Sequence, residues 1–286
     1  MEERLPILTS LAREPLEALG RLLARRRRRR TVGLALSGGA ARGIAHLGVL
    51  SVLLEADVVP DLVAGTSAGA AVGALFCRGW SPEQMLRLVR GLNLLQLGRP
   101  SVRRPGLLDG SRFEELFRSL VGDLAFEDLS IPLAVVACDL LSGERVVLRQ
   151  GPLAPAVRAS CSIPGIFTPV EIGPYLLVDG GVVDHLPADV VRTLGADYVI
   201  GVDVNPRMLT AERPRSAFDV LAASFQIMSY KSSMRPAQQA DLLIRPETAG
   251  FDWFRFGSQA DDLFQAGRQA ALEALPALQE DLERRR

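Results

Sequence analysis

Histidine is nearly missing from this chain: His46 and His185 are the only two in 286 residues. Chemistry that needs several imidazoles, such as a histidine-rich metal centre, is excluded at once. Three cysteines, Cys77, Cys138 and Cys161, stand far apart, odd in number and with no CxxC spacing. They fit buried thiols in a reducing compartment, not a disulfide framework or a zinc site. Lysine occurs once, at Lys231, and asparagine twice, at Asn93 and Asn205. So lopsided a choice of residue types reflects nucleotide bias, not chemistry. There is no excess of either charge, with 33 basic and 33 acidic residues, so no nucleic-acid partner is expected. Long apolar runs are absent too. The most apolar stretch, Ala64 to Cys77, is too short to span a bilayer. The opening residues, MEERLPILTS, are charged at once and lack the apolar core of a signal peptide, so a soluble cytoplasmic protein is expected.

What is present suffices for a large core. With 48% hydrophobic residues over this length, one large α/β domain over residues 31–286 is expected, preceded by a basic amphipathic extension over 1–30. Leucines recur at loosely helical spacing through residue 24, and Arg25–Arg30 is an unbroken arginine run. Such a block ordinarily stays solvated. Against an anionic membrane each arginine near the headgroups would add about 1 kcal/mol, making peripheral contact at the inner membrane face the alternative.

From Thr31 short apolar strands alternate with helices. TVGLALS, DLVAGT, IPLAVVACD, YLLV, DYVIGVDV and DLLIRP read as strands, and ERVVLRQ as a hairpin partner of IPLAVVACD. The pattern predicts a three-layer α/β/α sandwich with a mostly parallel central sheet. Ser81-Pro82-Glu83-Gln84 predicts a capped helix start, and Ser111 with Glu114 a second. Residues 93–110 lack periodicity and are expected to form a flexible loop. That loop and the helix from Ala217 to Met234 are the expected walls of any pocket.

Three motifs carry candidate chemistry. Gly65-Thr66-Ser67-Ala68-Gly69 is a G-x-S-x-G between a strand and an Ala/Gly-rich helix. A serine at such a turn is forced into a strained conformation that pushes its Oγ outward, with flanking glycines supplying clearance. Alone, the pattern also suits a small-residue packing turn. Ser37-Gly38-Gly39-Ala40-Ala41-Arg42-Gly43 follows a strand and opens a helix. Its amides would form either a phosphate cradle or an oxyanion hole. No Walker-type G-K-[ST] and no clean G-x-G-x-x-G occur, which favours the oxyanion hole. Asp179-Gly180-Gly181 ends a strand with an acid at the sheet rim, where ligands tend to bind; an ordinary Asp-Gly turn is the plainer reading.

A serine hydrolase normally uses histidine as base. His46 lies on an apolar helix and reads as a packed core residue. His185 follows the Asp-Gly-Gly closely and keeps a triad open, but it would have to share one short loop with Asp179. Asp179 as the direct base is preferred, provided that desolvation raises its pKa.

In this order GGAARG, GTSAG and DGG resemble the patatin-like phospholipase family, in particular its short bacterial members. The connecting text RASCSIPGIFTPV, VACDLLSGE and DHLPADVVRTLGAD is similar as well, and the resemblance spans about residues 31–248. It implies a Ser–Asp dyad without histidine. Ser67 would be nucleophile and Asp179 base. Amides of Gly38, Gly39 and Ala40, with Ala68, would hold the oxyanion, beside Arg42 and Gly43. It also implies a lipid or other acyl-ester substrate and no metal or cofactor. One departure is Ala40, where the family usually carries a third glycine; the amide survives there if the local dihedrals are negative. An α/β-hydrolase triad and a non-enzymatic lipid-sensing scaffold are the competing classes.

Overall fold

The computed structural model describes residues 30–92, 98–101, 106–205, 213, 216–233 and 236–284. The expected extension over 1–30 therefore lies, apart from Arg30, outside the described residues, as does half of the expected 93–110 loop.

Ten strands are described. Eight form one sheet: β1 (Val32–Leu36), β2 (Leu62–Thr66), β5 (Leu133–Asp139), β6 (Arg145–Leu148), β7 (Val170–Ile172), β8 (Tyr175–Asp179), β9 (Tyr198–Val202) and β10 (Leu242–Ile244). The remaining pair, β3 (Arg99–Pro100) with β4 (Leu108–Asp109), makes a separate two-stranded ribbon where only a loop was expected. Eight α-helices are described with them: α1 (Ala45–Glu55), α2 (Ala68–Cys77), α3 (Pro82–Arg90), α4 (Ser111–Val121), α5 (Leu153–Ser160), α6 (Ala188–Thr193), α7 (Ala217–Ser233) and α8 (Ala260–Arg284).

The sheet runs β10-β9-β1-β2-β5-β8-β7, with β6 also on β5. Every pair from β10 to β5 is parallel. Beyond β5 the pairing turns antiparallel, so the expected parallel sheet carries a mixed flank. Alternation along the strands separates two cores. Leu34, Leu36, Val63, Leu133, Val135, Ile200 and Val202 face a thick layer built from α1, α2, α4, α5 and α8. Ala35, Ala64, Ala134, Val136 and Val199 face the thin layer of α6. The thin side uses small residues because α6 lies close. A Cβ at Gly33 would meet the Val191 and Ala196 side chains.

The expected capping box at Ser81 is present, with Gln84 N–H on Ser81 Oγ at 3.2 Å and Ser81 N–H on Gln84 Oε1 at 2.8 Å. Ser111 differs from expectation. It is the first helical residue of α4, and its own N–H is held by Asp109 Oδ1 at 3.0 Å. Among the described residues, no helix is long and apolar enough to cross a membrane.

One detail of register positions everything that follows. Thr66 pairs with Val136, and Asp179 pairs with Ala137, the next residue of β5. Since β6 overlaps both β2 and β8 along β5, it must take the opposite edge. Strands β2 and β8 thus share one edge and run into each other head-on. The residues at their C-terminal ends are forced together.

Candidate active site

Ser67 follows β2 and opens α2 with φ 53° and ψ −120°, a conformation that costs a non-glycine residue about 1–3 kcal/mol. The strain is held by close packing. A Cβ at Gly65 would run into the carbonyl of Gly69, and one at Gly69 into the carbonyl of Leu36. Thr66 Oγ1 donates to the Asp184 carbonyl at 2.9 Å. The N–H of Ser67 donates to Ser160 Oγ at 2.8 Å, and that hydroxyl donates onward to the Val136 carbonyl at 2.6 Å.

Asp179, at the end of β8, is completely buried. Its Oδ1 accepts the Gly181 N–H at 2.8 Å, while Oδ2 has no hydrogen bond of full geometry among the described residues. Burial pushes its pKa up to about 7, and the Ser67 hydroxyl and Gly181 amide hold it from rising further. The serine hydroxyl is thus near enough to the carboxylate to lower its pKa, without a hydrogen bond of full geometry between them. Unliganded sites often show such loose geometry. Gly180 sits where a Cβ would strike the Val136 carbonyl, so only glycine lets the chain turn directly after the aspartate.

The glycine loop lies against the same turn. Gly38 donates its N–H to the His185 carbonyl at 3.1 Å. Its amide is therefore engaged, unlike the expectation that it would face a substrate. The N–H groups of Gly39, Ala40 and Ala68 have no acceptor among the described residues. Ala40 adopts φ 49°, the left-handed region, where a negative value was the stated condition. An L-residue there costs roughly 1–2 kcal/mol, which explains why glycine suits the position. Gly43 packs against the serine helix, a Cβ there standing 2.5 Å from that of Ala68. Arg42 is buried, with Nε and Nη2 on the Phe251 carbonyl at 3.2 and 3.0 Å and Nη1 without a partner among the described residues. It ties the loop to the 248–256 segment.

Both histidines are buried and neutral. Burial lowers His46 to about 4, with Nε2 and the Ser37 carbonyl 2.9 Å apart. Burial lowers His185 to about 3, and neither ring nitrogen has a full hydrogen bond among the described residues. Its ring is wedged between Gly38 and Gly181. Neither histidine bridges Ser67 and Asp179.

Ser67, Ala68 and Ala40 form part of the wall of an apolar cavity of about 1180 Å³, its open mouth included. The remaining wall comes from Leu47, Ala71, Leu75, Met85, Leu88, Phe113, Phe117, Leu120, Ile163, Phe167 and Phe254 among others. Helices α1 to α4 supply half of it. Among the described residues, the expected wall helix α7 supplies none of the lining, and of the expected 93–110 segment Gly110 takes part. Cys161 lines the same cavity as Ser67; burial raises its thiol pKa most, the Asp179 charge raises it further and the Ser67 side chain lowers it.

The profile described as patatin-like phospholipase matches residues 34–192, over half of the chain. The chain belongs to the patatin-like phospholipase family. An uncharacterized NTE family protein of Mycobacterium tuberculosis is 34% identical over 290 residues, covering 92% of this chain and 49% of that protein. The chain thus spans about half the length of such curated relatives. Neuropathy target esterase sws of Drosophila melanogaster is 36% identical over 188 residues, covering 61% of this chain and 13% of that protein. VipD from Legionella pneumophila has the same fold, with TM-score 0.61 at 16% identity, over 87% of this chain and 67% of that one.

Sequence reasoning missed Ser160, Asp184 and the main chain of His185, which hold the serine turn and glycine loop in place. Ser160 carried no signal beyond lying in the family-like text RASCSIPG. Carbonyl acceptors leave no trace in side-chain identity.

Proposed function

We propose that this patatin-like phospholipase family member is a serine acyl hydrolase of the phospholipase A, lysophospholipase or esterase type, with Ser67 as nucleophile and Asp179 as its base. In this reading residues 31–286 are the hydrolase domain and residues 1–30 a basic extension. The supporting observation is that strand register brings Ser67, on the wall of a large apolar cavity, beside the desolvated Asp179 carboxylate, whose pKa the serine hydroxyl lowers.

Asp179, near pKa 7, is basic enough to accept the Oγ proton as Ser67 attacks the ester carbonyl. The developing oxyanion is stabilised by the free amides of Gly39, Ala40 and Ala68, with Gly38 holding the loop and Arg42 anchoring it. Asp179 then returns the proton to the departing alkoxide, leaving an acyl group on Ser67. Water, deprotonated by the same carboxylate, releases the fatty acid and restores the serine. The cavity takes the acyl chain, each buried methylene contributing about 0.8 kcal/mol. No step calls on His46, His185, a metal or a cofactor.

The experiment is hydrolysis of a chromogenic medium-chain ester by wild type, Ser67→Ala and Asp179→Asn, together with fluorophosphonate labelling. Wild type hydrolyses the ester and labels on Ser67, and both variants are inactive. Full activity in either variant removes that residue from the mechanism.

A further inference from the structure

Helix α7 turns an unusual face to solvent. Its outward positions are 220, 221, 224, 227, 228 and 231, the spacing of one helical stripe. Four of these six are large and apolar: Val220 is 52% exposed, Leu221 48%, Ile227 49% and Met228 42%. The opposite face is already satisfied, since Ala222, Phe225 and Ser229 are buried. A helix whose inner face is packed has no folding reason to carry a second apolar stripe. Exposed patches of this kind mark interaction surfaces.

The stripe joins the cavity wall. Phe225 meets Trp253 with ring centroids 5.6 Å apart, in a cluster with Ile163, Phe167, Ala40 and Phe254. Those last four residues also line the cavity beside Ser67. On the outside, the Leu221 side chain lies 3.5 Å from where a Gly165 Cβ would stand. Leu107, 57% exposed, donates its N–H to the Gly165 carbonyl at 3.3 Å. Apolar surface therefore continues from α7 across Gly165 to Leu107, directly over the cavity wall.

We infer that this face docks the protein on an anionic phospholipid surface, with α7 lying in the plane of the headgroups. A helix of 17 residues is about 25 Å long, enough to seat an apolar stripe at the acyl boundary. The charges match an anionic layer. Arg213, just ahead of the helix, and Lys231, near its end, are both exposed, and the stripe itself contains no acid. The same cations repel the Arg25–Arg30 run, which argues against that segment as the cover. A docked face beside the cavity would let an acyl chain pass from the layer toward Ser67 without crossing water. This purpose rests on the proposed activity; the binding itself does not.

Flotation of the full chain tests the assignment, using vesicles of phosphatidylcholine alone and of an equal mixture of phosphatidylcholine and phosphatidylglycerol. Wild type binds the mixed vesicles more strongly, and less so as salt rises. Leu221→Asp combined with Ile227→Asp lowers partitioning by at least about tenfold, because two apolar anchors are withdrawn. Its hydrolysis of a soluble short-chain ester equals that of wild type. Val220→Ser with Met228→Ser moves binding the same way if the aspartates upset the helix. Either pair floating like wild type overturns the inference, as does wild type that ignores both vesicles. Equal binding to the two vesicle types overturns the anionic assignment. A wild-type dimer that the aspartate pair dissociates in sedimentation equilibrium means that a second copy covers this face instead. Wild type that floats yet is inert to every ester sinks the proposed activity and leaves the docking surface standing.

Discussion

The main-chain N–H of Ser67 is held by the hydroxyl of Ser160, 2.8 Å away and 93 positions along the chain. Ser160 also donates to the Val136 carbonyl, so one buried hydroxyl fastens the strained serine turn to the central strand β5. Ser160→Ala leaves a buried N–H without an acceptor, at a cost of about 1–3 kcal/mol. Thermal unfolding should show that loss. As Ser160 holds the main chain of the proposed nucleophile and is not assigned a substrate contact, kcat should fall while KM for a soluble ester stays near the wild-type value. A variant with lowered Tm and unchanged kcat would reduce Ser160 to a packing role.

With Asp179 as the proposed base, activity is expected to depend on pH. With its pKa lifted by burial to about 7, kcat/KM should rise with pH through that value and flatten above it. Stability runs the other way. The folded carboxyl binds its proton more tightly than the unfolded one, so ionisation costs stability as pH climbs from about 4 to about 7. A lift from 3.8 to about 7 corresponds to at most about 4 kcal/mol. Asp179→Asn should therefore be inactive yet melt higher than wild type at pH 8, with a smaller difference at pH 4. A profile governed by a group near 6.5 and abolished by His185→Ala, counted per fluorophosphonate-reactive site, would restore a histidine base.

Ala40 holds a left-handed backbone conformation at φ 49°. Ala40→Gly relieves strain of roughly 1–2 kcal/mol, partly offset by the greater freedom of glycine in the unfolded chain. A modest rise in Tm with activity retained is expected. A fall in Tm would mean that the Ala40 methyl, which packs with the Phe225–Trp253 cluster, contributes more than the strain removes.

Asp184 sits behind the site, buried and paired to Arg145 at 2.6 Å, with Arg145 also on Asp189 at 2.7 Å. Burial holds its pKa at about 6 despite the arginine. Arg145→Met removes the partner of a buried carboxylate, a change that typically costs 3–5 kcal/mol, less here because Arg145 is partly exposed. The destabilisation should be larger at pH 8, where Asp184 must ionise, than at pH 5. Denaturant titrations at the two values would show it. Equal losses at both would mean that the charge pair is not their cause.

Ala71 lies one turn beyond Ser67 on α2 and lines the cavity. Ala71→Phe should raise KM for long-chain esters and spare short-chain ones, shifting the chain-length preference measured over a series of chromogenic esters. An unchanged preference would mean that the acyl chain lies elsewhere.

Much of this protein could be read before any fold was known. Strand and helix alternation, the capped start at Ser81 and the strand-turn-helix setting of Ser67 follow from local periodicity and from residue types with strong backbone preferences, because such signals act within a few positions. The scarcity of histidine directed attention to Asp179 for the same elementary reason: few imidazoles are available. Tertiary structure alone decided the rest. That Thr66 and Asp179 pair with neighbouring residues of β5, that the Gly38 amide is taken by the His185 carbonyl, and that α3 and α4 wall the cavity are consequences of strand register and packing between distant segments. The pKa of Asp179 belongs to this second class as well. An aspartate brings its carboxyl with it, but only the burial of that carboxyl lifts its pKa to about 7.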